Sequence, residues 1–226
     1  MNSALVGMGY QVQNFTLDAW LFGSPQSRTR LFVVAASPGV TPLDIPQPSH
    51  SHPEGVKNHS LGRTANDLHV SQRQLEVSTP LKYVTIGEAT SDIPYNHDGR
   101  TNSIRFPGHR TTGPGTNPDT KRQISCIPLH PPNQNIVSAK DNLHPALINT
   151  LPSIFNSAIR STKASRSYSR TAANKLLPTI TASYNPKDCK AGRVLHWEGS
   201  RCLMVMEARR AQSYPDRDVL VGTPAQ

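Results

Sequence analysis

The sequence predicts an α/β fold made of short strands and helices that are separated by long loops. An alternating pattern at residues 10–18 and an apolar, β-branched run at residues 30–36 predict two strands joined by a tight loop. The second of these strands is expected to be buried. Apolar residues at helical spacing in residues 203–212 predict a helix. Because the chain has 20 prolines among 226 residues, long helices are expected to be few.

Weaker patterns predict the other elements. A helix at residues 4–8 is expected to close at Gly9, and a short helix at residues 86–93 is expected to end before Pro94. The remaining predicted elements are strands at 81–84, 176–182 and 194–197 and a helix at 144–160 that is interrupted at Pro152. Residues 37–62 hold several prolines and predict a loop or linker, in which His50 and His52 are expected to be solvated.

Composition limits the class of protein. The hydrophobic fraction is 35%, which indicates a small core for the length of the chain. Three widely spaced cysteines without a Cys-x-x-Cys pair favour neither a disulfide framework nor a zinc site, so no metal is expected. The sequence contains no apolar run of about 18 residues and no signal-peptide pattern at its start. We therefore expect an intracellular protein that does not cross a membrane.

The charge of the chain favours a polyanionic partner. The net charge is +9 and the isoelectric point is about 9.8. Residues 142–187 contain no acidic residue, and this stretch can form either a phosphate-facing surface or a solvated basic loop. Its basic residues are Arg160, Lys163, Arg166, Arg170, Lys175 and Lys187.

Three separate segments carry a more specific pattern. The first contains Gln26-Ser27-Arg28-Thr29-Arg30, preceded by Phe22-Gly23-Ser24-Pro25 and followed by the apolar run. The second is Gly87-Glu88-Ala89-Thr90-Ser91-Asp92-Ile93-Pro94. The third runs from Tyr168-Ser169-Arg170 through Leu177-Pro178-Thr179-Ile180-Thr181 and Leu195-His196-Trp197 to Met206-Glu207-Ala208-Arg209-Arg210-Ala211-Gln212 and Tyr214-Pro215-Asp216.

In this order, the segments resemble the later motifs of the DNA cytosine carbon-5 methyltransferases. The resemblance implies the C-terminal part of a Rossmann-like domain that uses S-adenosylmethionine, together with a loop-rich, mixed α+β target-recognition region. The implied divisions are a strand-loop-strand remnant of the catalytic domain at 1–36, a linker at 37–80, a short strand and helix at 81–94, the target-recognition region at 95–182, and a truncated catalytic-domain segment at 183–226.

The resemblance also implies roles for individual residues. Arg30 would contact the O2 atom of a cytosine flipped out of the duplex, and Gln26 and Arg28 would support the loop and the DNA side of the site. A guanidinium suits this position because it stays charged and can donate two aligned hydrogen bonds. Without the flanking residues, the same five-residue pattern is also that of an ordinary polar hairpin loop. The resemblance implies structural contacts for Glu207 and Arg210. DNA contacts are expected from Arg160, Lys163, Arg166, Arg170 and Lys175 because they lie in the basic stretch that has no acidic residue.

Several motifs of the family are missing from the sequence. It has no Phe-x-Gly-x-Gly loop for the cofactor, no Pro-Cys segment for the nucleophile and no Glu-Asn-Val segment for the acid. It also lacks the final Ile-Gly-Asn motif, and Ser213 and Tyr214 stand where the family has Gly and Phe. We therefore expect a fragment that is inactive alone, with S-adenosylmethionine as the cofactor of the full enzyme.

The motif wording resembles most closely the fungal branch linked to repeat-induced point mutation, which implies a nuclear location. The expected partners are DNA and the missing N-terminal part as a separate chain. Two alternatives stay open. One is a non-catalytic DNA-binding module or half of a split methyltransferase, and the other is a truncated gene product without function.

Overall fold

The computed structural model describes residues 2–71, 73–75, 77–94, 122, 124–140, 143, 168–180 and 195–218. The chain divides into two compact units, Met1–Val84 and Thr85–Gln226. Short strands and short helices occur in both units, in agreement with the predicted α/β class.

A helix and a two-stranded antiparallel ribbon form the centre of the first unit. Helix α1 spans Asn2–Gly7, and strand β1 spans Gln11–Asp18. Strand β3 spans Thr29–Ala36 and pairs with β1 along its whole length, with Asp18 opposite Thr29. Both predicted strands and the preceding helix are thus confirmed.

The predicted burial of the apolar strand is wrong. No residue of β3 is buried, and the side chain of Leu31 is 67% exposed. The physical reason is that β3 pairs with β1 alone among the described residues, and a two-stranded ribbon leaves much of both faces uncovered. Phe15 and Phe32 lie opposite each other and stack with ring centroids 5.7 Å apart, which shields one face in part.

The connection between β1 and β3 contains two short elements. A 3₁₀ helix spans Ala19–Phe22, and the two-residue strand β2 spans Gln26–Ser27. Gly23 ends the 3₁₀ helix with φ of 81°, a conformation that favours glycine. A Cβ atom at this position would lie 2.9 Å from the His50 ring, so the glycine also permits a close approach.

The predicted linker contains a β-hairpin that the sequence patterns did not reveal. Strand β4 spans Ser60–Arg63 and pairs antiparallel with strand β5 at His69–Ser71. The residues of β4 are all exposed, so the alternation of apolar and polar side chains that predicts a strand is missing. Conversely, the strand predicted at residues 81–84 is wrong, because there Leu81 forms just an isolated bridge to His50.

The second unit contains three described helices and a short strand. Helix α2 spans Ile86–Thr90, α3 spans Ile136–Ala139, strand β6 spans Leu177–Pro178, and α4 spans Val205–Ala211. These confirm the helices predicted around residues 86–93 and 203–212. The strand predicted at 194–197 is wrong for the described residues 195–197, because Leu195 makes just isolated bridges. The strand predicted at 176–182 is confirmed at β6, while the helix predicted at 144–160 lies outside the described residues.

Two apolar clusters make up most of the described core of the second unit. Both clusters are small, as expected from the low apolar content of the chain, and their residues come from short elements and loops. The first consists of Ile124, Ile127, Ile136, Ala139, Tyr168, Leu195 and Cys202, and the second of Ile86, Leu177, Leu203 and Ala211.

Candidate functional site

The loop between β1 and β3, called the motif loop below (residues 19–28), is fixed by its own backbone. The amide of Ala19 donates to the carbonyl oxygen of Arg28 at 2.8 Å, and the amide of Ser24 donates to Ala19 at 3.3 Å. From outside the loop, the amides of Ser49 and His50 both donate to the carbonyl oxygen of Leu21 at 3.0 Å. The loop is therefore closed at its base and supported on one side.

The three predicted site residues of this region differ in exposure. Gln26 is 2% exposed, and its Nε2 atom has no hydrogen-bond partner among the residues that the structure describes. Arg28 is half-buried in the loop, whereas Arg30 is exposed and is already the second residue of β3. The Nη1 atom of Arg30 donates to the carbonyl oxygen of Thr29 at 2.8 Å. Arg30 is thus available at the surface and Arg28 in part, while Gln26 is buried.

A buried carboxylate joins the two ends of the motif loop. Asp18, the last residue of β1, accepts a hydrogen bond of 2.5 Å from the hydroxyl of Thr29, the first residue of β3. The same carboxylate pairs with Arg73, whose Nε and Nη2 atoms lie 2.6 Å and 3.0 Å from its two oxygens. Since the Asp18 side chain is 3% exposed, the paired guanidinium compensates the charge where water cannot.

His50 and His52 do not lie in a solvated loop, so that prediction is wrong. Both are half-buried, and the indole Nε1 of Trp20 donates to Nδ1 of His52 at 3.3 Å. Burial lowers the pKa of His52, and the positive charge of Arg73 lowers it further against the opposing effect of Asp18. The ring is therefore favoured in its neutral form, which is the form that can accept the indole hydrogen.

In the second unit, the carboxylate of Glu207 accepts hydrogen bonds from three donor atoms of two neighbouring residues. Its carboxylate accepts hydrogen bonds from Arg201 Nη1 and Nη2 at 2.9 Å and 2.8 Å and from the amide of Met204 at 2.7 Å. Burial acts to raise the pKa of Glu207, but the hydrogen bonds and charge of Arg201 outweigh it and lower that pKa overall. Glu207 thus caps α4 and holds the preceding loop against it.

His196 completes this buried cluster. Its Nδ1 accepts a hydrogen bond from the amide of Glu198 at 3.0 Å, and its Nε2 lies 3.5 Å from Glu207. Burial lowers the pKa of His196 to about 3, with help from the charges of Arg201 and Arg170 and against that of Glu207. The imidazole is consequently neutral at neutral pH, and it stacks on the ring of Trp197 at 4.0 Å.

Arg210 ties α4 to two other segments. Its guanidinium pairs with Asp92, donates to the carbonyl oxygen of Ala89 at 3.0 Å, and donates through Nε to Asp216 at 3.0 Å. These hydrogen bonds to carboxylates raise the pKa of Arg210. The side chain therefore connects the helix before Pro94, in the second motif segment, with α4 and the Tyr214-Pro215-Asp216 turn in the third.

The turn after α4 shows the effect of one departure from the family pattern. Ser213, which stands where the family has Gly, has φ of 62°. This left-handed conformation favours glycine, so the serine is accommodated with some strain. Arg209, the residue before Arg210 in α4, donates to the carbonyl oxygens of Pro215 and Asp218 and so stabilises the same turn.

The predicted DNA-contact residues are placed unequally. Arg170 is 1% exposed, and its guanidinium donates to main-chain oxygens of Ile127, Pro128, His196 and Gly199 at 2.6–2.8 Å. The structure therefore turns its donors to the protein interior instead of an outside partner. Lys175, by contrast, is exposed at a turn. Arg160, Lys163 and Arg166 lie outside the described residues.

Several structurally central residues were missed in the sequence. Arg73 and Arg201 lie outside the motif segments, and their acidic partners are distant from them in sequence or separated by a turn. A buried ion pair of this kind leaves no periodic pattern, so only the three-dimensional structure reveals it. Within the described ranges, no group of three or more candidate metal ligands occurs, and no helix is long and apolar enough to cross a bilayer.

The chain is similar to named DNA methyltransferases over most of its length. DNA (cytosine-5)-methyltransferase 1B of rice (Oryza sativa subsp. japonica) is 26% identical over 251 residues, which cover 97% of this chain and 16% of that protein. DNA (cytosine-5)-methyltransferase 3 of Arabidopsis thaliana is 27% identical over 234 residues, or 95% of this chain and 16% of that protein. The sea-urchin (Paracentrotus lividus) DNA (cytosine-5)-methyltransferase PliMCI is 30% identical over 95 residues, or 42% of this chain and 6% of that protein.

The extent of these matches defines what they establish. The chain spans 16% of the length of the two plant relatives. The profile of the C-5 cytosine-specific DNA methylase family matches residues 1–219, which include all the motif segments described above. This protein therefore belongs to the C-5 cytosine-specific DNA methylase family.

Proposed function

We propose that this chain supplies the DNA and target-base contacts of a DNA (cytosine-5)-methyltransferase, which moves a methyl group from S-adenosylmethionine to carbon-5 of cytosine. The observation that carries the proposal is the family match over residues 1–219, which includes the motif loop and the exposed Arg30 that follows it. The names of the plant and sea-urchin relatives support the same reaction.

The motif loop has the chemistry to assist this reaction at the target base. When a nucleophile adds to carbon-6 of cytosine, negative charge develops on the ring and its O2 atom. The exposed guanidinium of Arg30 would donate hydrogen bonds to that oxygen, and the half-buried Arg28 would hold the adjacent part of the flipped nucleotide. Gln26, which is buried, would support the loop.

The distribution of charge supports DNA as the partner of the second unit. Residues 85–226 hold 18 Lys and Arg against 10 Asp and Glu, whereas residues 1–84 hold 6 against 5. Arg201 and Arg210 are paired with carboxylates, so the positive excess lies mainly on other side chains. We propose phosphate contacts for Arg160, Lys163, Arg166 and Lys175, and we leave out Arg170 because it is buried.

The described residues do not fit the cofactor of the family. S-adenosylmethionine requires a glycine-rich turn with open space above it, and the sequence has no Phe-x-Gly-x-Gly loop. At Gly23, which follows a strand and a short helix, the space beside the glycine is filled by the His50 ring. We therefore propose that the cofactor is held by a polypeptide segment carrying the missing motifs, covalently continuous with this chain or supplied as a separate chain.

Two finer assignments rest on motif wording. Leu195-His196-Trp197 and Met206-Glu207-Ala208-Arg209-Arg210-Ala211-Gln212 support membership of the fungal branch linked to repeat-induced point mutation. That membership, together with a chromosomal substrate, supports action in the nucleus. A DNA-binding module without catalysis is the second candidate, because the sequence contains no Pro-Cys segment for the nucleophile.

The test is methyl transfer from tritium-labelled S-adenosylmethionine to duplex DNA. The chain should be inactive alone and become active when combined with a polypeptide that carries the Phe-x-Gly-x-Gly and Pro-Cys motifs. Arg30→Ala should then lower kcat, whereas Arg63→Ala, at an exposed arginine of the hairpin, should not. If the chain binds DNA but no added polypeptide restores methyl transfer, the second candidate is favoured. Methylation by the chain alone would contradict the proposal that another segment supplies the cofactor site and the nucleophile.

A further inference from the structure

Arg73 lies in the segment predicted to be a linker. Its side chain is nevertheless largely buried, with 11% exposed, and forms hydrogen bonds with three other residues. Besides its two bonds to Asp18, its Nη2 lies 3.3 Å from the hydroxyl of Thr29, and its Nη1 donates to the carbonyl oxygen of Lys57 at 2.6 Å. The guanidinium carbon also lies 5.4 Å from the ring centroid of Trp20. Such a cluster fixes the arginine in one orientation.

These partners are distributed around the motif loop. Asp18 immediately precedes the loop, Trp20 lies within it, and Thr29 immediately follows it. A single guanidinium thus contacts the residue before the motif loop, the residue after it, and Trp20 within it. Arg30 follows Thr29 directly and donates to its carbonyl oxygen, so the placement of Thr29 sets the starting point of the Arg30 side chain.

The hairpin β4–β5 delivers Arg73 to this position. The amide of Arg73 donates to Oδ1 of Asn58 at 2.9 Å, and Nδ2 of Asn58 donates back to the carbonyl oxygen of Arg73 at 2.7 Å. The two residues flank the hairpin, so this reciprocal pair closes it at its base. Strand β4 is exposed along its whole length, and we therefore consider the closed base as the part of the hairpin that acts on the motif loop.

We propose that Arg73 is a positioning residue for the motif loop: it joins Asp18 to Thr29 and thereby fixes the direction in which Arg28 and Arg30 leave the loop. The inference rests on the proposed function for what those arginines contact. It assigns to the hairpin insert a role in the target-base site, although the hairpin carries none of the motif residues.

Amide hydrogen exchange tests the structural part of the proposal without DNA. In Arg73→Ala, the amides of Ala19, Ser24 and Arg28 should exchange about tenfold faster or more, because the loss of charged hydrogen bonds favours local opening. The amide of Ala208 in the second unit should not change. Arg73→Lys keeps the charge beside Asp18 but loses the planar fork of donors that pairs with both Asp18 oxygens, so it should restore protection in part. Arg63→Ala, at the exposed arginine of the same hairpin, should leave the loop protected.

Two further variants guard against simple unfolding of the first unit. Thr29→Val keeps the ion pair of Asp18 with Arg73 and removes the hydroxyl that links them, so it should increase loop exchange less than Arg73→Ala does. Asn58→Ala should increase exchange in the loop as well as at the hairpin base. Loop exchange in Arg73→Ala or Thr29→Val that equals that of Arg63→Ala would overturn the proposal.

A double-mutant cycle on DNA affinity tests the connection to Arg30. If Arg73 acts through Arg30, then Arg73→Ala should weaken binding of duplex DNA in the wild-type background and have no added effect in the Arg30→Ala background. Additive losses would overturn the proposed connection. If none of the proteins binds DNA, the proposed function fails, while hydrogen exchange still decides whether Arg73 orders the loop.

Discussion

At the scale of single residues, the buried cluster of His196, Glu207 and Arg201 links the stability of the second unit to pH. His196 is neutral in the folded protein because burial lowers its pKa to about 3. In the unfolded chain its pKa is about 6.5. The unfolded state therefore binds one more proton than the folded state throughout the interval between these values, and stability must fall as the pH falls through it.

We expect the free energy of unfolding of the second unit to decrease by up to about 1.4 kcal/mol for each pH unit below about pH 6.5. Glu207 acts in the same direction at lower pH: its lowered pKa gives stability that is present above its unfolded pKa of about 4.3 and lost as the pH falls through the folded value. Urea unfolding followed by Trp197 fluorescence measures the slope.

The variant His196→Gln should flatten this dependence between about pH 6.5 and about pH 5, because only the unfolded-state proton of His196 is removed there. The exposed His59 provides the matched control, and His59→Gln should keep the wild-type slope. An unchanged slope in His196→Gln would show that the imidazole is protonated in the folded state, contrary to its buried position.

Residue roles could be predicted in part from the sequence. The pattern around Gln26, Arg28 and Arg30 locates the motif loop, because short motifs are contiguous in the chain. The same reasoning grouped Arg170 with the surface cations, since charge sign along a sequence does not reveal burial. Arg170 is instead surrounded by main-chain oxygens from segments more than 20 residues away, such as Ile127 and His196. Such contacts depend on the folded loops and not on neighbouring residues.

At the scale of elements, helix α2 is held by close backbone contact with the segment before β6. The amide of Gly87 donates to the carbonyl oxygen of Ala173 at 2.8 Å, and the amide of Ile86 donates to that of Lys175 at 3.0 Å. A Cβ atom on Gly87 would lie 2.8 Å from the Ala173 oxygen, which is closer than real Cβ contacts come. The glycine of the Gly-Glu-Ala motif is thus explained by packing of a helix on a chain segment.

We expect Gly87→Ala to destabilise the second unit by about 2 kcal/mol, because the backbone must move apart to admit the methyl group. The control is Gly7→Ala at the end of α1, where nothing lies within 4 Å of the added atom, so that variant should be neutral or slightly stabilising. Urea unfolding measures both, with Trp197 reporting the second unit and Trp20 the first. If both variants change the free energy of unfolding of their own unit by the same amount, the close contact at Gly87 is contradicted.

Elements with strong local signals were predictable, and those that depend on distant partners were not. Helix α2 has a capping box of Thr85 and Glu88 in the sequence, and α4 has helical apolar spacing. The hairpin β4–β5 has neither signal, because the side chains of β4 are exposed and the turn at Asp67 uses a positive φ. The burial expected for β3 depends on a covering layer, which a single strand pattern does not specify.

At the scale of the whole molecule, the two units divide the proposed work. The first unit is nearly neutral and carries the motif loop, whereas the second unit carries almost all of the net positive charge. Within the described part of the second unit, the motif arginines Arg170, Arg209 and Arg210 are engaged in internal contacts with carboxylates and carbonyl oxygens, and Arg201 pairs with Glu207. Phosphate binding is therefore expected from basic residues outside those contacts.

This division predicts how the affinity for DNA depends on salt. Each phosphate contact that is lost should reduce the slope of log K against log salt by about 0.9, since one condensed counterion fewer is released. Lys163→Gln combined with Arg166→Gln should accordingly reduce the slope by about 1.8. Lys57→Gln combined with Arg63→Gln removes the same charge from the first unit and should leave the slope nearly unchanged. Fluorescence anisotropy with a labelled duplex between about 50 and 200 mM salt measures both.

The comparison of the two double variants separates local contact from general attraction. If the basic chain simply attracts DNA through its net charge, both variants lose the same charge and their slopes fall equally. If phosphates are held by residues of the second unit, only the first variant changes its slope. Arg170→Gln provides a third arm: because Arg170 is buried, this variant should lower the urea midpoint of the second unit, and any remaining folded protein should bind DNA with the wild-type slope.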